Sequence, residues 1–157
     1  MSILKENGGN ARPSKVEYYL NIAEAVGLRS TCLRRKYGAV LVNNDEIIST
    51  GYNGSVRGES NCCDLGYCER EAQRVAKGER YELCVAVHAE DNAVISAGRD
   101  RALNGTVYIV GKNADGTYAD PHPCKMCRRK LINAGVKKVI GYDPIEGIID
   151  IDIRSYE

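Results

Sequence analysis

The stretch "GTVYIVGKNADGTYADPHPCKMCRRKLINAGVKKVIGY", residues 105–142, decides the fold class of this chain. It opens with a run rich in β-branched and aromatic residues, which is typical of a buried strand. A loop with an Asp-Gly turn signal follows at 111–120. Residues 124–135 then predict a helix that ends at a glycine, and 136–142 predict another strand. A helix between two strands indicates a layered α/β domain.

The same alternation of strands and helices extends over the rest of the chain. Ser14 is a suitable N-cap for a first helix, and buried strands are predicted at 38–42 and 46–52. A further helix should start near His88 and end before Gly98. Weaker patterns predict a short helix near 69–77 and an edge strand at 147–154. Residues 1–13 are expected to form a flexible N-terminal arm, and 14–157 a single domain.

Composition excludes several classes of function. The 157 residues carry 22 Lys and Arg against 21 Asp and Glu, and a net charge of +1 argues against a large nucleic-acid or membrane surface. No apolar run approaches the roughly 20 residues of a membrane span, and the N-terminal residues lack the apolar core of a signal peptide. We therefore expect a cytoplasmic protein. In a reducing compartment, the seven cysteines favour metal binding or catalysis over disulfides.

One histidine, two cysteines and one glutamate form the pattern that carries chemistry. Cys124 and Cys127 lie three residues apart at a predicted helix start, so both thiolates can bind one ion. With His88 they make three zinc ligands, which leaves a fourth position open for water, as in catalytic zinc sites. Zinc lowers the pKa of bound water to about 7. Glu90, two residues after His88, is the predicted general acid and base rather than a ligand.

The pattern His-x-Glu followed by Pro-Cys-x-x-Cys is the signature of the zinc nucleobase deaminases. Residues 88–90 and 123–127 match it without a substitution. "YGAVLVNNDEIISTGYNGSVRG", residues 37–58, resembles the start of the deoxycytidylate (dCMP) deaminase branch of the cytidine and deoxycytidylate deaminase superfamily. The similarity covers roughly residues 15–143. It implies a cytidine-deaminase-like layered α/β domain, in which helices flank a central mixed five-stranded sheet.

The resemblance also implies an activity and its substrate contacts. The expected reaction is zinc-dependent hydrolytic deamination of a cytosine nucleotide, dCMP to dUMP plus ammonia, with Glu90 moving the protons. Asn53 would bind the sugar hydroxyl, the backbone at Ala89 and Cys124 would hold the pyrimidine, and Tyr142 would pack near the substrate. Arg99 is the predicted phosphate contact. Its rivals for that contact are Arg34, Arg35 and Arg57. Asn53-Gly54 is also a common turn dipeptide, and a turn is expected after the strand at 46–52.

Two features leave the substrate open. The segment 111–122 inserts an extra loop before the cysteines, beside the expected mouth of the site. His122 in this segment is interpreted as a loop residue or as a neighbour of the metal ligands, and not as a ligand itself. Deaminases of cytidine, cytosine, guanine or tRNA adenosine share the same chemistry. A non-catalytic zinc-stabilised module and a redox protein are the alternatives from other classes. Retention of Glu90 argues against the module, and the late position of Cys124 argues against the redox protein.

The other cysteines suggest a second metal site. Some relatives in the dCMP branch carry a structural zinc with cysteines at the positions of Cys32 and Cys62. Cys68 and Cys84 could complete a closed four-sulfur site, which would leave Cys63 free. The alternative is that these cysteines are small buried hydrophobic residues.

The resemblance further implies a homo-oligomer, a dimer or hexamer, in which catalytic helices pair across subunits. The isoleucines of 148–153, which a lone domain of this size would leave exposed, favour the same assembly. Parts of the branch are regulated by dCTP and dTTP.

Overall fold

The computed structural model describes residue 3, residues 12–76 and residues 78–155 of the chain. Most of the expected N-terminal arm, residues 1, 2 and 4–11, lies outside the described residues, as does Lys77 at the end of the helix expected at 69–77. Ile3 is buried in the core at 3% exposure. Among the described residues, no helix is long and apolar enough to cross a membrane.

Five long strands form the central sheet, in the spatial order β2-β1-β5-β7-β8. β5 and β7 pair in parallel, and the other neighbours on this path are antiparallel. This confirms the predicted layered α/β domain with a mixed five-stranded sheet. A short sixth strand, β6, pairs with β5, and β3 and β4 form a separate small sheet. The strands are β1 (Arg35–Asn43), β2 (Glu46–Tyr52), β3 (Gly54–Ser55), β4 (Ala86–Val87), β5 (Thr106–Asn113), β6 (Tyr118–Ala119), β7 (Lys138–Asp143) and β8 (Gly147–Ile151).

Helices cover both faces of the sheet, because successive side chains of its central strands point to opposite faces and both sets are apolar. On one face, Leu41 and Ile109 pack with α4 and α6, and on the other Val40 and Val110 pack with α1. All four of these side chains are at most 1% exposed. The helices are α1 (Lys15–Gly27), α2 (Cys62–Leu65), α3 (Glu69–Ala72), α4 (Ala89–Ala97), α5 (Arg99–Ala102) and α6 (Lys125–Asn133), with a 3₁₀ turn at Tyr81–Leu83.

The first helix begins at the predicted residue. Ser14 accepts a hydrogen bond from the backbone of Glu17, and the Glu17 carboxylate reaches back to the Ser14 backbone, which makes a capping box. α4 and α6 also begin where the sequence predicted, with His88 and Cys124 as their N-caps. Gly135 follows α6 with φ of 84°, a left-handed conformation that glycine adopts without strain.

The segment expected to be a loop at 111–120 is instead an extended arm of the sheet. β5 continues to Asn113, the chain turns, and β6 returns antiparallel to it. Two contacts to Glu24 of α1 hold this hairpin: Lys112 Nζ lies 2.6 Å from one carboxylate oxygen, and the Tyr118 hydroxyl donates to the other at 2.9 Å. The insertion therefore has a fixed path towards Pro121 and His122.

The turn expected at Asn53-Gly54 does not form. Neither residue has the positive φ that a type I′ turn requires. The Asn53 side-chain amide instead bonds the backbone of β1, accepting from Tyr37 N at 2.8 Å and donating to the Arg35 carbonyl at 2.9 Å. The chain stays extended there, and Gly54 pairs with Val87. Because Val87 precedes His88, this pairing places the chain that follows β2 beside His88.

Helix α4 lies unusually close to β2. A Cβ on Gly51 would sit 2.3 Å from the Ala89 carbonyl oxygen and 2.5 Å from the Ala93 nitrogen, so only glycine fits there. The Ser49 hydroxyl donates to the Ala93 carbonyl at 2.6 Å, and the Asn92 amide donates to the Tyr52 carbonyl at 2.9 Å. Close packing and two polar contacts thus fix the depth and rotation of α4.

Replacement of Gly51 by alanine should test this approach. The added methyl group meets helix backbone rather than a flexible side chain, so we expect Gly51→Ala to destabilise the fold by about 2 kcal/mol. Thr50→Ala, on the exposed side of the same strand, serves as the control and should leave stability almost unchanged. Urea denaturation of both variants measures the difference, and a Gly51→Ala protein as stable as the Thr50→Ala control would contradict it.

Candidate active site

Two helix N-termini meet at the site. His88 is the N-cap of α4, and Cys124 is the N-cap of α6 with Cys127 one turn further on. The ligand atoms of these three side chains all lie within 4.8 Å of one another. The His88 Nδ1 atom is 3.1 Å from the Cys127 sulfur and 3.6 Å from the Cys124 sulfur. The predicted ligand triad is therefore assembled from two segments that are 36 residues apart in sequence.

The two helices are joined close to the triad by an ion pair. The Lys130 ammonium of α6 lies 2.8 Å from the Asp91 carboxylate of α4, whose side chain is 11% exposed. A partly buried pair of this kind is screened less by salt than an exposed one. It links the last turn of α6 to the first turn of α4, and because the Lys130 side chain is 58% exposed the pair makes only a modest contribution.

The electrostatics of the triad favour thiolate at one sulfur. A hydrogen bond from the Cys127 thiol, assisted by His88, lowers the pKa of Cys124 to about 4. The same hydrogen bond, together with burial, raises the pKa of Cys127 above its usual range. The hydrogen bond to Cys124 also raises the pKa of His88. A cation at the centre would replace the shared proton, because it stabilises both thiolates at once.

Glu90 lies in the first turn of α4, two residues from His88, and is only 6% exposed. Burial raises the pKa of its carboxyl group. A carboxylate in such a place binds a proton more readily than an exposed one, which suits a group that takes up and releases protons. Among the described residues, the triad of ligand atoms within 4.8 Å of one another consists of His88, Cys124 and Cys127, and Glu90 lies beside it in sequence.

The donor set fits zinc. Two thiolates and one imidazole are the ligands of a borderline-soft ion that prefers tetrahedral geometry, and three protein donors leave one position for water. The exposure pattern agrees, since Cys127 is buried while His88 and Cys124 are partly exposed. His88, Cys124 and Cys127 would therefore hold the ion with its open side towards the pocket.

A pocket opens directly over the triad. It is bounded by β1, the 3₁₀ turn, the start of α4 and the chain before α6. Its lining includes the predicted residues Asn53, Ala89, Glu90, His88 and Cys124, and also Arg34, Arg35, Tyr37, Arg70, Tyr81 and His122. Asn53 uses one acceptor site and one donor for β1, so each end of its amide retains capacity for one further hydrogen bond.

Two predicted substrate contacts lie elsewhere. Arg99 is exposed at the start of α5 and is not among the described residues that line this pocket, whereas its rivals Arg34 and Arg35 are. Tyr142 packs on Tyr118 with ring centroids 4.6 Å apart, beside the core between α1 and the sheet. Tyr142 thus supports the inserted hairpin in this chain.

Sequence reasoning missed three side chains of the pocket. Tyr37 donates its hydroxyl to the Asp120 carbonyl at 2.8 Å, which ties β1 to the segment before the cysteines. Arg70 and Tyr81 come from the irregular region between β3 and β4. No local motif identifies them, because their position depends on pairing between β3 and β4, each two residues long.

Three of the four cysteines predicted to form a second site, Cys32, Cys68 and Cys84, line the same pocket. Burial raises the pKa of Cys62, and the thiols of Cys32, Cys68, Cys84 and Cys63 add to the rise. All seven cysteines of the chain are free thiols. Among the residues described, these four sulfurs do not form a group with all members within 4.8 Å, in contrast to the triad.

His122 belongs to a different group. Its Nδ1 atom lies 2.6 Å from the Asp120 carboxylate, and Asp143 completes a set of ligand atoms within 4.8 Å. Asp120 and His122 are exposed. His122 thus lines the pocket and belongs to a group of ligand atoms separate from the triad.

Comparison with known proteins is consistent with this geometry. A family model described as "Cytidine and deoxycytidylate deaminase zinc-binding region" matches residues 13–142. A deoxycytidylate deaminase of Schizosaccharomyces pombe is 38% identical over 134 residues, which cover 85% of this chain and 38% of that protein. A deoxycytidylate deaminase of Mycobacterium phage D29 is 33% identical over 135 residues and is covered to 95%, with 83% of this chain matched. The chain thus spans well under half the length of the fission-yeast relative.

A solved structure supports the same relationship. The dCMP deaminase of cyanophage S-TIM5, in complex with dCMP and dUMP, matches with a TM-score of 0.58 and 28% sequence identity. The match covers 84% of this chain and 83% of that one.

Proposed function

The chain belongs to the cytidine and deoxycytidylate deaminase family, and we propose that it deaminates dCMP to dUMP with release of ammonia. One observation carries the proposal: a His-Cys-Cys triad with a buried carboxylate opens into a pocket that also contains arginines. The triad and Glu90 supply hydrolytic chemistry, and the arginines suit an anionic substrate. The relatives named as deoxycytidylate deaminases favour the same substrate.

Glu90 moves the protons in the proposed reaction. Zinc, when bound, supplies a water that ionises near neutral pH. Glu90 accepts a proton from this water and delivers it to N3 of cytosine while the oxygen bonds to C4. It then transfers the remaining hydroxyl proton to the amino group, the C4–N bond breaks, and ammonia leaves. The uracil product keeps the oxygen at C4 and the proton at N3, so all atoms are accounted for.

The helix N-termini position the base in this proposal. The Ala89 side chain is fully buried beside Glu90, and its backbone lies at the start of α4, where N–H groups lack helical acceptors. The backbone at Cys124 occupies the same place in α6. Polar edges of a pyrimidine can pair with such groups. Asn53 is proposed to bind the sugar hydroxyl with the free capacity of its amide.

The phosphate is proposed to meet Arg34 and Arg35 at the wall formed by β1. The Arg34 guanidinium pairs with Glu71 at 2.9 Å, and Arg35 Nε bonds the Asn113 side chain at 3.3 Å, so both are oriented before substrate arrives. Arg99, the contact predicted from the resemblance, is exposed at the start of α5 and is not among the described residues that line this pocket. The two proposals differ in which arginine selects for phosphate.

A second, structural zinc is proposed at Cys32, Cys62, Cys68 and Cys84. Cys32, Cys68 and Cys84 line one pocket, and Cys63 N donates to the Thr31 carbonyl at 3.1 Å, which brings α2, with Cys62, next to Cys32. Closed four-cysteine sites contribute folding free energy directly. Free thiols throughout the chain agree with the reducing cytoplasm, which we propose as its compartment.

We further propose a homo-oligomer, a dimer or hexamer. Ile151 and Ile153 are buried in the core, so the expectation that they would be exposed is wrong. Ile145 in the turn before β8 and Ile148 of the edge strand β8 remain exposed, and Ile95 of α4 is 72% exposed. A contact between copies would cover these side chains, and light scattering at micromolar concentration tests it. Regulation by dCTP or dTTP stays a prediction of the resemblance.

The first test replaces Glu90 by glutamine, which keeps the shape of the side chain but cannot carry the protons. We expect zinc content to stay at the wild-type level and kcat on dCMP to fall roughly 10³-fold or more. Cys127→Ala is the comparison, since it should lose both metal and activity. Ammonia release and metal analysis measure the two effects, and a Glu90→Gln enzyme of near-normal rate would refute the proposed proton transfer.

The second test concerns the phosphate. Wild type should have a higher kcat/KM on dCMP than on deoxycytidine, because the charge-assisted contact exists only for the nucleotide. Arg35→Ala should lower kcat/KM on dCMP by about 10-fold or more and leave deoxycytidine almost unaffected. Arg29→Ala removes an exposed arginine outside the pocket and is the control. Equal wild-type efficiency on the two compounds would contradict nucleotide selectivity, and a selective loss in Arg99→Ala alone would transfer the contact to Arg99.

The third test counts metal. Wild type should contain two zinc ions per chain, of which Cys62→Ala loses one and Cys127→Ala the other. Cys62→Ala should also lower the melting temperature, because the closed site stabilises the fold. Cys63→Ala alters an exposed neighbouring thiol and should lose no metal. One zinc in the wild type, unaffected by Cys62→Ala, would exclude the second site.

A further inference from the structure

Three side chains form a chain of contacts that ends at the metal ligand His88. The Tyr81 ring meets the His88 ring edge to face, with centroids 5.6 Å apart and planes at 82°. The Arg70 guanidinium carbon lies 4.5 Å from the centroid of the same Tyr81 ring. Tyr81 is thus held between a fixed cation and the imidazole.

Arg70 is the anchor of this arrangement. Its side chain is 7% exposed although it carries a charge, and it comes from the short helix α3. Nη2 donates to the carbonyl of Ala76 at 3.2 Å and to that of Glu79 at 2.8 Å. Two backbone acceptors and an aromatic face compensate part of the cost of burying the charge, which is otherwise large. A guanidinium bound in this way has little freedom to move.

The backbone before His88 gives Tyr81 a defined position. Arg80 adopts a left-handed conformation, with φ of 48°, and Tyr81 opens the 3₁₀ turn that precedes β4. β4 then pairs with β3 and leads directly into His88. The ring and its target are therefore connected both through the chain and through space.

The imidazole needs such a contact. A zinc-bound histidine is usually oriented by a partner of its outer edge, commonly a carboxylate or carbonyl. Among the described residues, the hydrogen bonds of the His88 side chain go to the two thiols of the triad. The Tyr81 ring packs against the imidazole in an edge-to-face arrangement.

We propose that Tyr81, held by Arg70, is a positioning residue for His88: it fixes the plane of the imidazole so that Nδ1 points at the metal between Cys124 and Cys127. The proposal rests on zinc binding by this triad in the proposed function, and it concerns the ligand rather than the substrate. It also gives a structural role to the irregular region between β3 and β4, which would help to hold the catalytic centre in place.

Metal affinity is the first measurement. Tyr81→Leu should weaken zinc at the triad by about 10-fold or more, as loss of a contact that orients a ligand does. Tyr81→Phe keeps the ring and should bind zinc like the wild type. Tyr67→Leu, an exposed tyrosine of the same region, is the control. Chelator competition follows the zinc ion that Cys127→Ala loses, which identifies the relevant site.

The second measurement is the ¹⁵N NMR spectrum of the His88 imidazole. The chain has only two histidines, so ¹⁵N spectra of the zinc-loaded protein contain signals of His88 and His122, and His122→Gln assigns them. Tyr81→Leu should shift or broaden the His88 signals and leave those of His122 in place. A purely structural role of Tyr81 would lower the melting temperature without changing the His88 spectrum or the zinc affinity.

Wild-type zinc affinity with an unchanged His88 spectrum in Tyr81→Leu would overturn the proposal. If that variant does not fold, Arg70→Lys decides, because it keeps the charge but not the planar stacking. We expect a few-fold weaker zinc binding and a shifted His88 signal in Arg70→Lys, and wild-type values in it would equally overturn the proposal. Neither measurement uses substrate, so failure of dCMP turnover would leave this test intact.

Discussion

The first turns of two helices must converge on one point, and the rest of the structure serves that constraint. His88 and Cys124 are both N-caps, so each ends an extended segment and begins a helix at the position of a ligand. A ligand at an N-cap is fixed by the backbone on both sides, and the free N–H groups of the turn favour thiolate and carboxylate nearby. The close approach at Gly51 sets the depth of α4, and the ion pair of Asp91 with Lys130 links its first turn to the last turn of α6.

Local patterns were sufficient to predict the elements that carry the ligands. The spacing of Cys124 and Cys127 required a helix, and the carboxylate two residues after His88 required a helix start, so sequence and geometry agree there. Local patterns were not sufficient where a segment is held by contacts with residues that are distant in sequence. Asn53 was expected in a turn because Asn-Gly favours one, but hydrogen bonds to β1 outweigh that local preference. The inserted hairpin was expected to be a loop, because the Glu24 contacts that hold it come from a distant helix.

The region between β3 and β4 forms part of the pocket lining although it contains little regular secondary structure. Its helices α2 and α3 are four residues each, too short to be stable alone, and few of its side chains are buried. Specific contacts replace a core there: the Arg70 guanidinium on two carbonyls, the Tyr81 ring, and the neighbouring thiols around Cys62. Polar contacts are directional, so they fix position more narrowly than apolar packing of the same small area would.

The positive charge of the pocket is concentrated locally, and the composition of the whole chain therefore does not reveal it. A net charge of +1 argues against extended anionic partners, yet Arg34, Arg35 and Arg70 all line one pocket. The acidic side chains that balance them lie partly outside it, as the exposed partner of Arg34, Glu71, does. A small anion therefore meets cations concentrated at one wall of the pocket, which no count of charge over the whole chain can indicate.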